Sequence, residues 1–324
     1  MNVLSLFDGI SCGQLALQRA GIKVAQYFAS EIDTSAIAVT QKQFPTTIQL
    51  GDVQKIKSCD LPKIDLLIGG SPCQGFSKAG LQLNFDDNRS KLFFEFVRLL
   101  KECKPTHFLL ENVEMKKEWV DIISSYLGVN PVLIDSANFS AQQRKRLYWT
   151  NLVFDHNLPT NNDCVSDILE PEVDDKFFLK HEKVFHLFID NHTNKRKVGF
   201  YNNSHQETVI LHINNKSYTV LCKHFPFYLI PILENSNQKN IHRKIEQCTS
   251  FMVTLKNESQ NYIRYKLRKL TPLECERLQT LPDNYTLGFS DTARYKMLGN
   301  CWTVDVIAFI LMPYGNFEKQ LNFK

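Results

Sequence analysis

No stretch of this 324-residue chain supplies the ~18 consecutive apolar residues that a membrane-spanning helix needs, so no membrane contact is expected. The opening residues, Met1-Asn2-Val3-Leu4-Ser5-Leu6-Phe7-Asp8, hold no basic segment ahead of a long apolar run, and no signal peptide is expected. Glycine and proline are scarce, with 13 and 12 residues, which excludes collagen-like and proline-rich architectures. Charge is too sparse and apolar content too high for wholesale disorder, at 22% and 43%. The nine cysteines, at 12, 59, 73, 103, 164, 222, 248, 275 and 301, are too few for a disulfide scaffold. None forms a C-x-x-C pair, and the odd count suits a reducing compartment. Eight of the nine histidines lie between 156 and 242 at spacings that match no ligand motif, so no metal is expected. The excess of positive charge is only +4, which permits nucleic-acid binding without arguing for it.

What the chain does have is an alternating rhythm. Short apolar runs at Val3–Phe7, Tyr27–Ser30, Ile48–Leu50, Ile64–Gly70 and His107–Leu110 read as strands. Helical spacing follows at Gln14–Ala20, Ser35–Gln43 and Lys91–Cys103. This β-α-β-α order predicts an α/β fold with a mostly parallel sheet. The rhythm fades near Asp155, where asparagines and histidines crowd between short β-type runs. A helix returns at Thr271–Leu278, with Thr271 as N-cap, Pro272 at the first helical position and Glu274 three residues after the cap. The last helix is expected from about Val304 to Leu311. The predicted organisation is therefore 1–154, a second irregular and β-rich domain at 155–264, and a return to the first domain at 265–324.

In open α/β sheets ligands bind beyond the carboxyl ends of the strands. Here those positions hold Asp8 and Gly9, Glu31 and Asp33, Asp52, Pro72 and Cys73, and Glu111. Acids after successive strands suit a ribose, whose two hydroxyls a carboxylate can accept. The first turn has only Gly9 and Gly13 and lacks the G-x-G-x-x-G fingerprint, so a nucleoside without pyrophosphate is favoured over NAD. Cys73, in Gly69-Gly70-Ser71-Pro72-Cys73-Gln74-Gly75, is a candidate nucleophile if its surroundings lower its pKa, and otherwise an inert buried thiol.

Six segments then stand in a recognisable order. They are Phe7-Asp8-Gly9-Ile10-Ser11-Cys12-Gly13; Gly70-Ser71-Pro72-Cys73-Gln74-Gly75-Phe76-Ser77, continued by Asp86-Asp87-Asn88-Arg89-Ser90-Lys91-Leu92-Phe93-Phe94; Glu111-Asn112-Val113; Gln142-Gln143-Arg144-Lys145-Arg146; Arg268 through Gln279; and Gly299-Asn300. With them the chain resembles the cytosine-5 DNA methyltransferases over most of its length outside 155–264. Ser11-Cys12 replaces the Gly-Gly of many bacterial members, and Cys301-Trp302-Thr303-Val304 replaces a run of smaller residues. Both departures look like the branch holding phage-type and animal de novo enzymes.

The resemblance implies a Rossmann-like S-adenosylmethionine-dependent methyltransferase fold with a smaller target-recognition domain. It implies that Cys73 attacks C6 of a flipped cytosine, that Glu111 binds the N3/N4 edge, and that Arg144 holds O2 with Arg146 in support. S-adenosyl-L-methionine is the implied cofactor. Glu31 would take its ribose hydroxyls and Asp52 its adenine amino group, with Val53 offering backbone contacts. Phe7 and Ile32 would flank the adenine. Asp8, Gly9, Ile10, Gly13 and Pro72 would line the site, and Asn300 and Trp302 would close the methionine side. Gln74 through Lys91 would form a loop over the base.

Double-stranded DNA is the implied partner, with Ser77 and Arg89 as backbone contacts and Lys195, Arg196, Lys197 and Arg243 as basic contacts in the recognition domain. A monomer is expected, in the cytoplasm of a bacterial or phage-infected cell or in a nucleus. A cognate restriction endonuclease, an orphan role and phage self-protection are the open settings. Two other readings stand beside this one. A transfer-RNA cytosine-5 methyltransferase would carry a further signature after Glu-Asn-Val, which is absent, and a smaller insert than the ~110 residues here. A catalytically inactive DNA-binding relative would have lost Cys73, Glu111 or Arg144, and all three are present.

Overall fold

A computed structural model of the chain describes residues 1–72, 88–178, 185–187, 197–203, 206–214, 216–217, 219, 227–231, 252–256 and 262–321. Its first sheet carries β1 (Asn2–Leu6), β2 (Gln26–Ser30), β3 (Ile48–Gln49), β4 (Leu66–Gly70), β5 (His107–Val113), β6 (Val132–Asp135) and β7 (Lys145–Thr150). Their spatial order is β3-β2-β1-β4-β5-β7-β6. The first five pair in parallel, and β7 runs antiparallel to both β5 and β6. Strand order reverses between β1 and β4, the place where such sheets open a ligand crevice.

The central strands are apolar throughout because helices cover both sheet faces. Successive side chains point to opposite faces, and the core divides accordingly. Val3, Leu66, Ile68 and Leu109 pack with Val306, Ile307 and Ile310 on one side. Leu4, Leu6, Leu67, Phe108 and Leu110 pack with Phe93, Phe96 and Val97 on the other. The covering helices are α1 (Cys12–Arg19), α2 (Thr34–Gln43), α3 (Asn88–Cys103) and α4 (Lys117–Leu127), followed by the short α5 (Val165–Ile168). After the second sheet come α6 (Pro272–Leu278), α7 (Asp291–Asn300) and α8 (Val304–Leu321). Among the described residues no single helix is long and apolar enough to cross a membrane.

The expected capping box is present on α6. The Thr271 hydroxyl accepts from the Glu274 amide at 3.1 Å, and the Glu274 carboxylate accepts from the Thr271 amide at 2.8 Å. Three elements differ from the expectation. β5 continues through Glu111 and Asn112 to Val113, so these residues lie within the strand because β4 and β7 pair with it that far. α8 runs through Pro313 to Leu321 instead of stopping near Leu311. α7 was not anticipated, because one of its buried positions is Arg294, held by Glu276 at 2.9 Å rather than by apolar neighbours.

A second, six-stranded sheet comprises β8 (Phe185–Leu187), β9 (Lys197–Asn203), β10 (Gln206–His212), β11 (Phe227–Pro231), β12 (Met252–Lys256) and β13 (Tyr262–Arg268), in the order β12-β13-β11-β10-β9-β8. It is tied to the first sheet beside the Gln-x-Arg-x-Arg segment. The Ser217 amide donates to Ala141 O at 2.6 Å, and Ser217 O accepts from the Gln143 amide at 2.9 Å. The Ser217 hydroxyl meets the Tyr228 hydroxyl on β11 at 2.6 Å. Lys216 adds bonds to Ser140 O, Asn161 Oδ1 and Asp163 O.

Candidate active site

The turn after β1 has an unusual backbone. Phe7, Gly9 and Ser11 all take positive φ, at 57°, 59° and 58°. Only the glycine does so without strain, since a left-handed L-residue costs roughly 1–2 kcal/mol. The distortion aims the Gly9 amide at Glu31 Oε2, 2.8 Å away. Glu31 Oε1 accepts from the amides of Ile32 and Asp33 at 2.8 and 2.9 Å. Three backbone donors thus fix the carboxylate at the end of β2, and Oε2, with a single partner, keeps capacity for another donor.

Asp8 lies beneath this turn, where its carboxylate accepts from the hydroxyls of Ser11 and, at 2.7 Å, Tyr27. Burial pushes its pKa up to about 6 against the pull of those hydrogen bonds, and Glu31 adds to the rise. The folded state therefore binds this proton more tightly than the unfolded chain. The stability it contributes is present below about pH 4 and is lost as pH rises through about 6, to a total of roughly 3 kcal/mol. Asp8→Asn is expected to raise the melting temperature near pH 7 and to change it little near pH 4. Thermal unfolding of the two proteins across that range checks this, and parallel profiles would contradict the burial argument.

Asp52 follows β3 and caps the turn Val53–Lys55, with Oδ1 accepting from the Gln54 amide at 3.0 Å. Across the crevice, β4 ends at Gly70-Ser71-Pro72. Asn112 Nδ2 donates to Ser71 Oγ at 3.1 Å and to Ser71 O at 3.4 Å, holding the backbone that leads into position 73. Neighbouring Glu111 is buried and has a partner on each oxygen, an ion pair on one and a hydrogen bond on the other. Arg146 Nε meets Oε1 at 2.9 Å and the Trp302 indole N–H meets Oε2 at 3.2 Å. Arg144 is buried and donates to the carbonyls of Gly299 and Cys301 at 3.3 and 3.0 Å. Burial, and then Arg146, lower its pKa to about 10, while Glu111 opposes them, so it stays charged at neutral pH.

One cleft of about 380 Å³ joins these groups, within the range of small-molecule sites. Twelve of the expected residues line it: Phe7, Gly9, Ile10, Glu31, Ile32, Asp52, Val53, Pro72, Glu111, Arg144, Arg146 and Asn300. Asp8, Gly13 and Trp302 do not. A Cβ on Gly13 would sit 2.5 Å from Ile68 Cδ1 and 3.0 Å from the Tyr27 hydroxyl, so this glycine serves close packing behind the turn. Cys73, Ser77, Lys195, Arg196 and Arg243 lie outside the described residues, and Arg89 and Lys197 are described only as backbone of α3 and β9. Sequence reasoning missed Asn112, Lys296 and Met297 as site residues. The last two stand four and three residues before Asn300 on α7, the spacing that puts side chains on one helix face.

The cleft suits a nucleoside-bearing cofactor. Ile32 is 74% exposed beside it, an apolar side chain left for a ligand to cover. Asp52 uses only one oxygen in its cap, and Glu31 stands ready at the next strand end. Among the described residues no group of three or more His, Cys, Asp or Glu is placed to hold a metal ion.

The chain is similar to known proteins over most of its length. The family model described as C-5 cytosine-specific DNA methylase matches residues 1–314. Type II methyltransferase M1.ScrFI of Lactococcus lactis subsp. cremoris is 31% identical over 327 residues, spanning 94% of this chain and 76% of that protein. Type II methyltransferase M.NlaX of Neisseria lactamica is 29% identical over 326 residues, spanning 95% and 94%. Among solved structures, Entamoeba histolytica methyltransferase EhMeth superposes with a TM-score of 0.67 over 98% of both chains at 18% identity. S. pombe Dnmt2 methyltransferase gives 0.64 over 97% and 99%, also at 18%. At that identity the likeness concerns the fold, a Rossmann-like methyltransferase sheet.

Proposed function

Because the chain belongs to the C-5 cytosine-specific DNA methylase family, we propose that it methylates cytosine at C5 within a particular DNA sequence, with the residues of this cleft in the roles given below. The observation that carries the reading is the joining of two half-sites in one cleft. Glu31 and Asp52 form a nucleoside-binding half, and Glu111 with Arg146 forms a base-binding half beside the strand that leads into Cys73.

S-adenosyl-L-methionine, when bound, supplies an electrophilic methyl group. Glu31 Oε2 would accept from its ribose hydroxyls and Asp52 from its adenine amino group, and Phe7 and Ile32 would give the adenine apolar walls. The residues on the other side make cytosine reactive. A cytosine inside a duplex is out of reach, so the base leaves the stack to enter the cleft. The Cys73 thiolate forms a bond to C6, and the C5–C6 double-bond electrons become available at C5. Glu111 binds the N3/N4 edge and favours a proton at N3, which stabilises the addition. Arg146 holds the Glu111 carboxylate in place, and Arg144 anchors the 299–301 segment at the cleft wall while facing the base at O2. Once C5 carries the methyl group, with S-adenosylhomocysteine as the leaving group, its proton leaves to water, the C5–C6 double bond re-forms and the bond from sulfur to C6 breaks, returning the Cys73 thiolate.

Residues 155–264 serve as the target-recognition domain in this reading. Ser217 of this segment is bonded to the 141–143 backbone just ahead of Arg144, so a DNA-bound recognition domain bears directly on the base-binding residues. Ser77, Arg89, Lys195–Lys197 and Arg243 are proposed phosphate or base contacts. The chain is proposed to act on double-stranded DNA as a monomer in the cytoplasm or nucleus, with a restriction endonuclease of the same specificity as its counterpart.

Base-resolution mapping of 5-methylcytosine in a methylation-free host that expresses the chain tests this function. One methylated sequence motif is expected. An unmodified genome together with methylated transfer RNA would replace the DNA reading by an RNA one. The cofactor half is tested separately. Glu31→Ala is expected to weaken S-adenosylmethionine binding by about 10- to 100-fold, the scale of losing charge-assisted hydrogen bonds. DNA affinity should stay within twofold by about the same standard. Titration calorimetry with each ligand checks it, and equal losses would contradict the ribose assignment.

A further inference from the structure

Trp302 lies in the short break between α7 and α8, and its indole is wedged between two motifs. A Cβ on Gly13 would come within 3.3 Å of its Cζ3, and a Cβ on Gly70 would come within 2.9 Å of its Nε1. The same Gly70 Cβ would lie 3.1 Å from Glu111 Oε2. Trp302 is not among the residues that line the cleft, and its ring has a single polar atom. It donates to Glu111 Oε2 at 3.2 Å. The backbone on either side is pinned. Cys301 O accepts from Arg144 at 3.0 Å, the Thr303 hydroxyl bonds Ser136 and Gln279 at 2.9 Å each, and the Val304 amide donates to Gln279 O at 3.0 Å.

From this geometry we infer that Trp302 is a positioning residue for Glu111: its indole N–H, opposite Arg146, fixes the carboxylate in the plane from which it meets the target cytosine. The inference rests on the proposed methyl transfer to cytosine and adds a residue whose expected place was the cofactor side. Indole nitrogen can only donate, so the bond always presents a proton to Oε2. Arg146 forms an ion pair with Oε1 at 2.9 Å. With a partner on each oxygen the carboxylate cannot rotate about its last bond without losing both. Its remaining lone pairs are aimed by protein atoms before any base arrives, which is the arrangement a preorganised site requires. Gly70 follows as a necessity, because any side chain there would occupy the space of this hydrogen bond.

The test isolates base activation from cofactor binding. DNA labelled with tritium at cytosine C5 is incubated with the protein in the absence of S-adenosylmethionine. Addition of the Cys73 thiolate to C6 lets C5 take a proton from water. Loss of the original tritium to water, followed by cleavage of the bond from sulfur to C6, returns cytosine and releases countable tritium. Trp302→Phe keeps an aromatic ring and removes the N–H. It is expected to slow tritium release about tenfold, and kcat for methylation by a similar factor, as loss of one hydrogen bond to a charged group implies. KM for DNA and the Kd for S-adenosylmethionine should be unchanged. Normal cofactor-free exchange with weakened cofactor binding would make Trp302 a cofactor wall and overturn the inference. So would a variant with no change in any of these quantities. An intact chain that neither exchanges nor methylates any DNA would remove the underlying reading and the inference with it.

A second measurement leaves Trp302 untouched. The protein has three tryptophans, and their indole N–H groups give separate proton–nitrogen correlation signals, assigned through Trp119→Phe and Trp149→Phe. Glu111→Gln should move the Trp302 signal upfield as its acceptor loses charge. A signal that stays in place overturns the inference.

Discussion

Cys73→Ser is expected to abolish methyl transfer while both substrates still bind. The substitution exchanges a thiol that ionises within reach of neutral pH for a hydroxyl that does not, and the attacking species disappears. Loss of a sole nucleophile is expected to lower kcat by about 10⁴-fold or more. Binding is expected to survive because the groups proposed to carry it stand on other strands, with Glu31 after β2 and Asp52 after β3. Methyl incorporation into unmethylated DNA measures the loss, and calorimetry with S-adenosylmethionine measures the retained affinity. Turnover within tenfold of the intact protein, by about the same yardstick, would mean that C5 is activated without a covalent bond to the enzyme.

Glu111→Gln is expected to lower kcat by ~10²- to 10⁴-fold, the range for removing a group that handles a proton in the reaction. It carries a structural cost as well. Arg146 and Glu111 are only 14% and 11% exposed, and Arg144 is buried beside them. Glu111 is the opposite charge that offsets two neighbouring guanidinium groups. Removing one partner of such a pair leaves buried charge uncompensated, at about 3 kcal/mol or more. The variant should therefore melt lower and also turn over slowly. The double variant Glu111→Gln with Arg146→Gln should recover much of the melting temperature and none of the activity. If activity returned with stability, the carboxylate would serve the fold and not the chemistry.

The sequence showed the parallel half of the sheet because strand, turn and helix follow one another there within about thirty residues, the length of a βαβ unit. The capping box at Thr271 and Glu274 was legible for the same reason, since both of its hydrogen bonds close within four residues. What was hidden depends on distant partners. Nothing near Lys145 shows that β7 turns antiparallel to β5, yet that pairing puts Arg146 opposite Val113 and within reach of Glu111. The roles of Arg144 and Trp302 depend on contacts more than 150 residues away in the chain. Asn112 could be recognised as part of a motif, but its grip on Ser71 required the neighbouring strand. The motifs thus named most of the cleft's residues, while the bonds among them came only from the fold.

Segments far apart in the chain meet at the turn after β1. Tyr285 donates its hydroxyl to Ile10 O at 2.8 Å and its carbonyl accepts from Gln43 at 2.7 Å, while Asn300 forms part of the cleft. This sets a clock on the newborn molecule. Residues 1–150 leave the ribosome on the order of ten seconds before Asn300 does, at the usual pace of bacterial synthesis. During that interval the strands that carry Glu31 and Glu111 exist without the wall that completes their site. A growing chain therefore lacks a complete cleft until Asn300 has been made, and whatever binds there must wait for that residue.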